Sequence, residues 1–293
     1  MKTRLFLVLV LVVLVFALPD RNLWAEGDAR DYVAAPAGTK LMAIYYNFQT
    51  GNKLYADGEK ITDDFNLSAN IGILRPVMFV NLGPIVADPQ ALIPFGSLSV
   101  DGSAVGGTEI QSTGLADVII TATFWLINKP EKKWWLGFTP YFFLPVGEYD
   151  NKRPINLGEN RWKFREEFAT VIGLAEKWYL DLYAAGEFYL DNDDYGPESV
   201  RLEQNPAGFL EAHLSYDFTK SFYVAMEYFY KFGGATTIAG ADQDNGANNH
   251  AGRVTFGFWI TDSVQLLLKY RRDFDIENGP KTQSFETRLF YLF

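Results

Sequence analysis

The sequence contains no cysteine, which excludes both a disulfide framework and a thiolate metal site. Histidine occurs only as His213 and His250. No zinc-ligand spacing, glycine-rich phosphate loop or basic-aromatic patch occurs anywhere. After the first 25 residues there is no run of about twenty apolar residues, so a helical membrane protein is excluded. Positive charge is also short: 26 Lys and Arg face 36 Asp and Glu, a formal charge of −10. That sign argues against nucleic acid and against charge-driven binding to an anionic bilayer. Nothing in the sequence calls for a cofactor.

What is present begins with an address. Lys2 and Arg4 precede an uninterrupted apolar run from Leu5 to Leu18, which Pro19-Asp20-Arg21 ends. The run is too short for a comfortable transmembrane helix and suits a secretory signal. Leu23-Trp24-Ala25 offers cleavage after Ala25, although Leu is not the usual small residue three positions before the cut. An uncleaved inner-membrane anchor is the alternative. The reading predicts a signal peptide over residues 1–25 and one domain over 26–293. Cleavage removes three bases and one acid and moves the formal charge from −10 to −12.

Aromatic residues make up 16% of the chain, and they lie in alternating segments. Alternate side chains of a strand face opposite ways, so a barrel in lipid can hide its hydrophobicity in period-two patterning. Such segments begin near Leu41, Phe65, Ile85, Val118, Trp134, Phe164, Trp178, Leu210, Phe222, Val254, Val264 and Phe285. The third is the least secure, because Pro89 and Pro94 cannot donate to a ladder. Short turns at Asn81–Pro84, Lys129–Lys132, Glu176–Lys177, Thr219–Lys220 and Thr261–Ser263 alternate with long polar loops, of which Gly51–Lys60 is the first and Asp273–Thr282 the last. Trp134, Trp135, Trp178, Tyr216, Phe218 and Phe222 cluster near the short turns, where an aromatic girdle belongs. The fold expected is all-β: a transmembrane antiparallel up-and-down β-barrel of about twelve strands, of the bacterial outer-membrane type.

The last strand supports this. Phe285, Thr287, Leu289, Tyr291 and Phe293 share one face, and Glu286 and Arg288 the other. Chain ends are usually loose and polar, whereas a barrel's final strand must pair with its first and present an apolar band outward. Phe285, Tyr291 and Phe293 are therefore expected to form an assembly signal read by the barrel-assembly machinery.

Three groups of residues carry a family resemblance. They are Gly114-Leu115-Ala116-Asp117, then Leu144-Pro145-Val146-Gly147-Glu148-Tyr149-Asp150, then Asn156-Leu157-Gly158-Glu159-Asn160-Arg161-Trp162. Tyr189-Leu190-Asp191-Asn192-Asp193-Asp194 and Tyr270-Arg271-Arg272-Asp273-Phe274-Asp275 follow in the same order. The chain resembles the outer-membrane proteins described as meta-pathway phenol-degradation transporters. The resemblance implies an outer-membrane barrel and a conduit for small molecules, aromatic or hydrophobic ones among them; it assigns no binding residue.

Any chemistry must lie in the interior. If the apolar parity faces lipid, the lumen receives Asp117, Lys163, Arg165, Glu167, Asp181, Glu187, Glu211, His213, Glu227, Lys231, Arg253, Lys269, Arg271, Glu286 and Arg288. Arg or Lys facing lipid at mid-membrane costs about 2–4 kcal/mol, which favours this assignment. The set is a charge ladder filling a narrow lumen or a selectivity surface for a polar permeant. Twelve strands lie between filled eight-stranded barrels and open sixteen-stranded ones, so a narrow or plugged passage is expected. His213 and Ser215 share a strand face and could form a hydrolase pair, but they point into the lumen rather than at lipid, and the chain is read as a non-enzyme. The runs Asp191–Asp194 and Asp242–Asp244 lack the continuation of a calcium loop. The expected partners are outer-membrane lipid and lipopolysaccharide, the assembly machinery and a small-molecule permeant. The alternatives are a structural or adhesive barrel and an outer-membrane lipid hydrolase.

Overall fold

Period-two alternation becomes one closed sheet in the computed structural model, which describes residues 26–293. The expected signal peptide, residues 1–25, lies outside them. The barrel strands are β1 (Lys40–Ala56), β2 (Asn66–Met78), β3 (Ile85–Asp101), β4 (Val118–Lys129), β5 (Trp134–Leu144), β6 (Lys163–Gly173), β7 (Trp178–Tyr189), β8 (Ala207–Thr219), β9 (Phe222–Gly233), β10 (Ala247–Thr261), β11 (Val264–Asp275) and β12 (Gly279–Leu292). Each pairs antiparallel with its sequence neighbours, and β12 closes on β1 from Leu41↔Leu292 to Tyr55↔Gly279. Closure leaves no ladder edge in hydrocarbon, the condition for spanning a bilayer with strands. No helix among the described residues is long and apolar enough to cross a membrane. The short turns and both strand termini of the closing pair lie at the periplasmic end. Phe293 is exposed and donates its backbone N–H to the Lys40 carbonyl at 2.9 Å.

Each of the twelve alternating segments falls in one of these strands, but the extracellular ends run further than patterning indicates. Most of the expected loop Asp273–Thr282 is strand, and β1 continues past Gly51 to Ala56. His250 lies in β10, with Nδ1 2.6 Å from the Tyr228 hydroxyl. Asn192–Tyr195, Val200–Gln204, Thr236–Ile238 and Ala241–Asp242 form a separate small sheet out of two long connections. Despite its prolines, β3 is among the longest strands, at 17 residues. The prolines sit where its ladders are interrupted or change partner. Pairing with β2 stops at Leu74↔Ile93 and resumes at Val77↔Gln90. On the other side β3 leaves β4 after Leu92↔Ile119 and takes up Ile110–Leu115 from Phe95↔Leu115.

The expected orientation rule, apolar parity toward lipid, fails in β2. Leu67, Ala69, Ile71 and Ile73 are buried inside the barrel. The outward positions include Asn66, bonded to Asp101 at 2.6 Å, and Asn70, which accepts from Tyr46 at 2.8 Å. The physical reason lies in the connections: residues 102–117 and 145–162 fold over this wall, so Ala104, Ala116, Ile155 and Leu157 join β2, Leu92, Leu98, Ile119 and Phe143 in one apolar cluster. Trp135 also departs from the girdle assignment. It is buried beside Trp125, while its neighbour Trp134 faces outward, because adjacent residues of a strand cannot share a face.

Candidate functional site: a plugged lumen

The segment preceding β1 enters from the periplasmic end, where Gly38 donates to the Phe79 carbonyl at 2.8 Å, and rises inside the barrel. Each of its residues from Tyr32 back to Glu26 meets the wall. The Tyr32 hydroxyl donates to Glu167 at 2.8 Å and lies 2.5 Å from Thr139 Oγ1, and its carbonyl accepts from Trp125 Nε1 at 3.0 Å. Gly137 of β5 makes room for that ring, since a Cβ there would lie 2.7 Å from it. Asp31 pairs with Arg75 at 2.9 Å and Arg288 at 2.5 Å. Arg30 lies between the rings of Tyr179 and Tyr223, 4.3 Å from each, and pairs with Asp217 at 2.6 Å. Its backbone N–H donates to Asp181. Asp28 meets Lys269 at 2.7 Å and Arg288 at 3.0 Å. Gly27 donates to Glu211 at 3.1 Å and accepts from Arg253, and Glu26 pairs with Arg271 at 2.9 Å.

The structure places the sequence-derived interior set around this plug. Arg165 pairs with Glu187 at 2.8 Å, Lys269 with Glu286 at 3.0 Å, and Arg253 with Glu227. Lys231 is half-buried, its ammonium 5.5 Å from the centre of the Phe209 ring. Lys163 and Asp117 belong to the extracellular end, where Lys163 pairs with Glu159 at 2.5 Å. His213 is buried 3.2 Å from Glu211, between the rings of Tyr183 and Phe229. Ser215 accepts from Arg30 Nε at 2.9 Å. Histidine and serine are thus each engaged elsewhere, and the pair is not a hydrolase dyad. Among the described residues no group of three or more His, Asp or Glu is placed to hold a metal ion.

The plug belongs to no spanning strand, and its carboxyls titrate according to their neighbours. Burial raises Asp28, but Lys269, Arg288 and Arg253 around it outweigh that effect and hold it well below the usual carboxylate range. Burial pushes Glu26 up to about 6 against the pull of Arg271 and Arg253. Asp28 is therefore a fixed anion at neutral pH. A cavity of about 200 Å³ remains beside the plug. Leu67, Ile73, Leu92 and Leu98 line one side of it, with Arg75 at their edge; Arg165, Arg253, Lys269, Arg271, Glu211 and Glu286 line the other, with Phe209 and Phe229 stacked among them.

The motifs of the resemblance converge in the extracellular cover. Gly147 and Gly158 pass so closely that a Cβ on Gly147 would lie 2.7 Å from the Gly158 Cα. Asp117 accepts the backbone N–H of both Gly147 and Glu159 at 2.9 Å, clasping the two stretches together. Sequence reasoning missed the plug itself. The available signal was the charged stretch Glu26-Gly27-Asp28-Ala29-Arg30-Asp31-Tyr32, lying between the cleavage site and the first strand.

A closed twelve-stranded barrel with a charged, plugged lumen defines a class: an outer-membrane channel. The family model described as "Putative MetA-pathway of phenol degradation" matches residues 50–289, and the chain belongs to that family. It is 35% identical to an outer membrane channel from Pseudomonas putida F1, with 92% of this chain and 100% of that one aligned at a TM-score of 0.87. The transport unit of the autotransporter AIDA-I from Escherichia coli aligns over 96% of this chain and 97% of its own at 8% identity and a TM-score of 0.57. The translocator domain of NalP from Neisseria meningitidis aligns over 90% and 92% at 9% identity and 0.54; these two share the fold alone. No curated protein matches. The protein resides in the bacterial outer membrane and is not an enzyme.

Proposed function

We propose that the barrel is a conduit for small molecules that are at once aromatic or hydrophobic and weakly polar, with the N-terminal segment as its constriction. The observation that carries this reading is the two-sided cavity beside the plug. A leucine and isoleucine wall takes the apolar face of a solute, and a wall of paired charges takes its polar edge or the water that travels with it. Ligand sites of this kind join apolar lining to a few placed polar groups. A volume of about 200 Å³ accommodates a single aromatic ring with substituents. Passage beyond the cavity requires residues 26–35 to leave the wall. The paired charges they leave behind set the selectivity.

The test is single-channel recording and liposome uptake of the purified protein against a variant lacking residues 26–35. Conductance of the shortened chain should rise by roughly an order of magnitude, since a lumen filled by side chains becomes an aqueous one. One-ring aromatics should block that current and enter liposomes. Two electrically silent proteins, neither admitting any solute, would return the barrel to the structural reading.

A further inference from the structure

The outer surface carries one concentration of positive charge that the lumen does not use. On β11, β12 and β1 the outward residues ascend in rows toward the extracellular end. Tyr270, Phe285 and Phe48 share the first row, through the pairs Tyr270↔Phe285 and Phe48↔Phe285. Arg272 stands in the next row, opposite Gln283, and Lys281 and Lys53 oppose each other in the row above. Arg272 and Lys53 are exposed and Lys281 is half-buried. Like charges directly opposite on neighbouring strands repel. No acid on these rows answers them: among the described residues Arg272, Lys53 and Lys281 have no carboxylate within ion-pair distance, and the Lys281 ammonium donates to the Phe274 carbonyl at 2.6 Å. The acids of this rim lie higher, in the connections, where Asp63 is engaged by Lys60 at 2.9 Å and Asp275 and Glu277 border the last turn. The opposite side of the barrel differs. Its outward residues at this end are Phe142, Phe164 and Phe188, paired strand to strand.

We propose that Arg272, Lys281 and Lys53 bind the phosphate groups of lipopolysaccharide in the outer leaflet. The aromatic row marks the level of the membrane interface, so the cations project at the height of the glycolipid's phosphates. Basic residues just beyond an interface recognise anionic headgroups, and a phosphate between Lys53 and Lys281 turns a repulsive pair into two charge-assisted contacts. In a chain of net charge −10, a carboxylate-free cationic face beside an aromatic row fits a phosphorylated lipid better than a protein partner. The face orients the barrel toward one lipid and leaves the β5–β7 side free of it.

The protein is purified from outer membranes in mild detergent, and co-purifying lipid A is quantified by its phosphate and hydroxy-acyl content. The triple variant Lys53→Gln, Arg272→Gln, Lys281→Gln should retain at least fivefold less lipid A. A control triple at the periplasmic turns, Lys132→Gln, Lys177→Gln, Lys220→Gln, should retain as much as the unaltered protein. In a second measurement needing no variant, added lipid A should raise the temperature at which the unaltered barrel loses its heat-modified gel mobility, and dephosphorylated lipid A should not. Equal retention by both triple variants overturns the proposal, as does equal stabilisation by both lipids, which would assign the contact to acyl chains.

Discussion

The two walls of the lumen are filled in opposite ways. From β6 to β12 the wall is charged, and its occupant is the chain's own N-terminal segment, held by Asp28, Arg30 and Asp31 through ion pairs. From β2 to β5 the wall is apolar toward the extracellular end, and its occupants there are Ile155, Leu157, Ala104 and Ala116 from the extracellular connections; lower down it carries Arg75, which pairs with Asp31 of the plug. The difference decides which occupant can leave. Part of the charged wall is paired laterally, Arg165 with Glu187 and Lys269 with Glu286, whereas the ion-pair partners of Arg288 among the described residues, Asp28 and Asp31, belong to the plug, so water entering after it meets neutralised pairs and one freed guanidinium. Lifting the loops from the apolar wall would expose hydrocarbon at about 25 cal/mol per Å² with no compensation. On the conduit function proposed above, the plug is the filling that leaves and the loops are the one that stays.

Breaking the lateral pairing should give the largest effect. Arg253 is buried against Glu227 and lies 3.5 Å from Glu286 and 3.6 Å from Asp28. Arg253→Ala strands those carboxylates and should cost about 3–5 kcal/mol, while Arg253→Met with Glu227→Met removes the most deeply buried of them and should recover part of that loss. Urea midpoints of the heat-modifiable form measure both. A double variant as unstable as the single one would mean that the wall is not held by pairing. The apolar wall predicts a smaller loss and a different signature. Leu98→Ala should cost about 2–3 kcal/mol, the low end for a buried leucine because neighbouring loops can settle into the space. Its channel should keep the ion selectivity of the unaltered protein, and a shifted reversal potential would break the division of labour between walls.

Patterning made the barrel legible because each strand carries its own period-two signal, whatever its partners. It also found the charged wall, since Arg165, Glu187, Glu227 and Arg253 could not face lipid. It misread β2, where the alternating stretch Phe65–Leu74 carries no charge on either parity: Leu67 and Ile71 look the same whether they meet lipid or a folded loop, and only the long-range packing of Ile155 and Leu157 decides. Trp135 escaped for a related reason, being assigned by proximity to a turn rather than by parity. The plug left no periodic trace because its order comes from contacts such as Asp28 with Lys269, 241 residues away in sequence. The family motifs were visible as strings, but their role emerged only when Asp117, Gly147 and Gly158 met in the cover.

That clasp supplies the last and smallest test, since it concerns one loop junction rather than the barrel. Burial pushes Asp117 up to about 6, with Glu159 adding to the rise, against an ordinary value of 3.8. Between those values the closed loops bind more proton than the opened ones. The stability contributed by Asp117 is therefore fully present below about 3.8 and is lost as pH rises through about 6. Protection of the Gly147 and Glu159 amides, corrected for intrinsic exchange, should fall by up to about a hundredfold across that window, the free energy of the roughly two pKa units between the two values. Asp117→Asn keeps an acceptor without the ionisation and should flatten the dependence. The apolar cluster beneath should keep the protection of Ile71 and Val100 throughout, because none of its members carries a carboxyl or imidazole group. A pH step that survives in Asp117→Asn would assign the titration to a group outside the clasp and separate the clasp from the wall it covers.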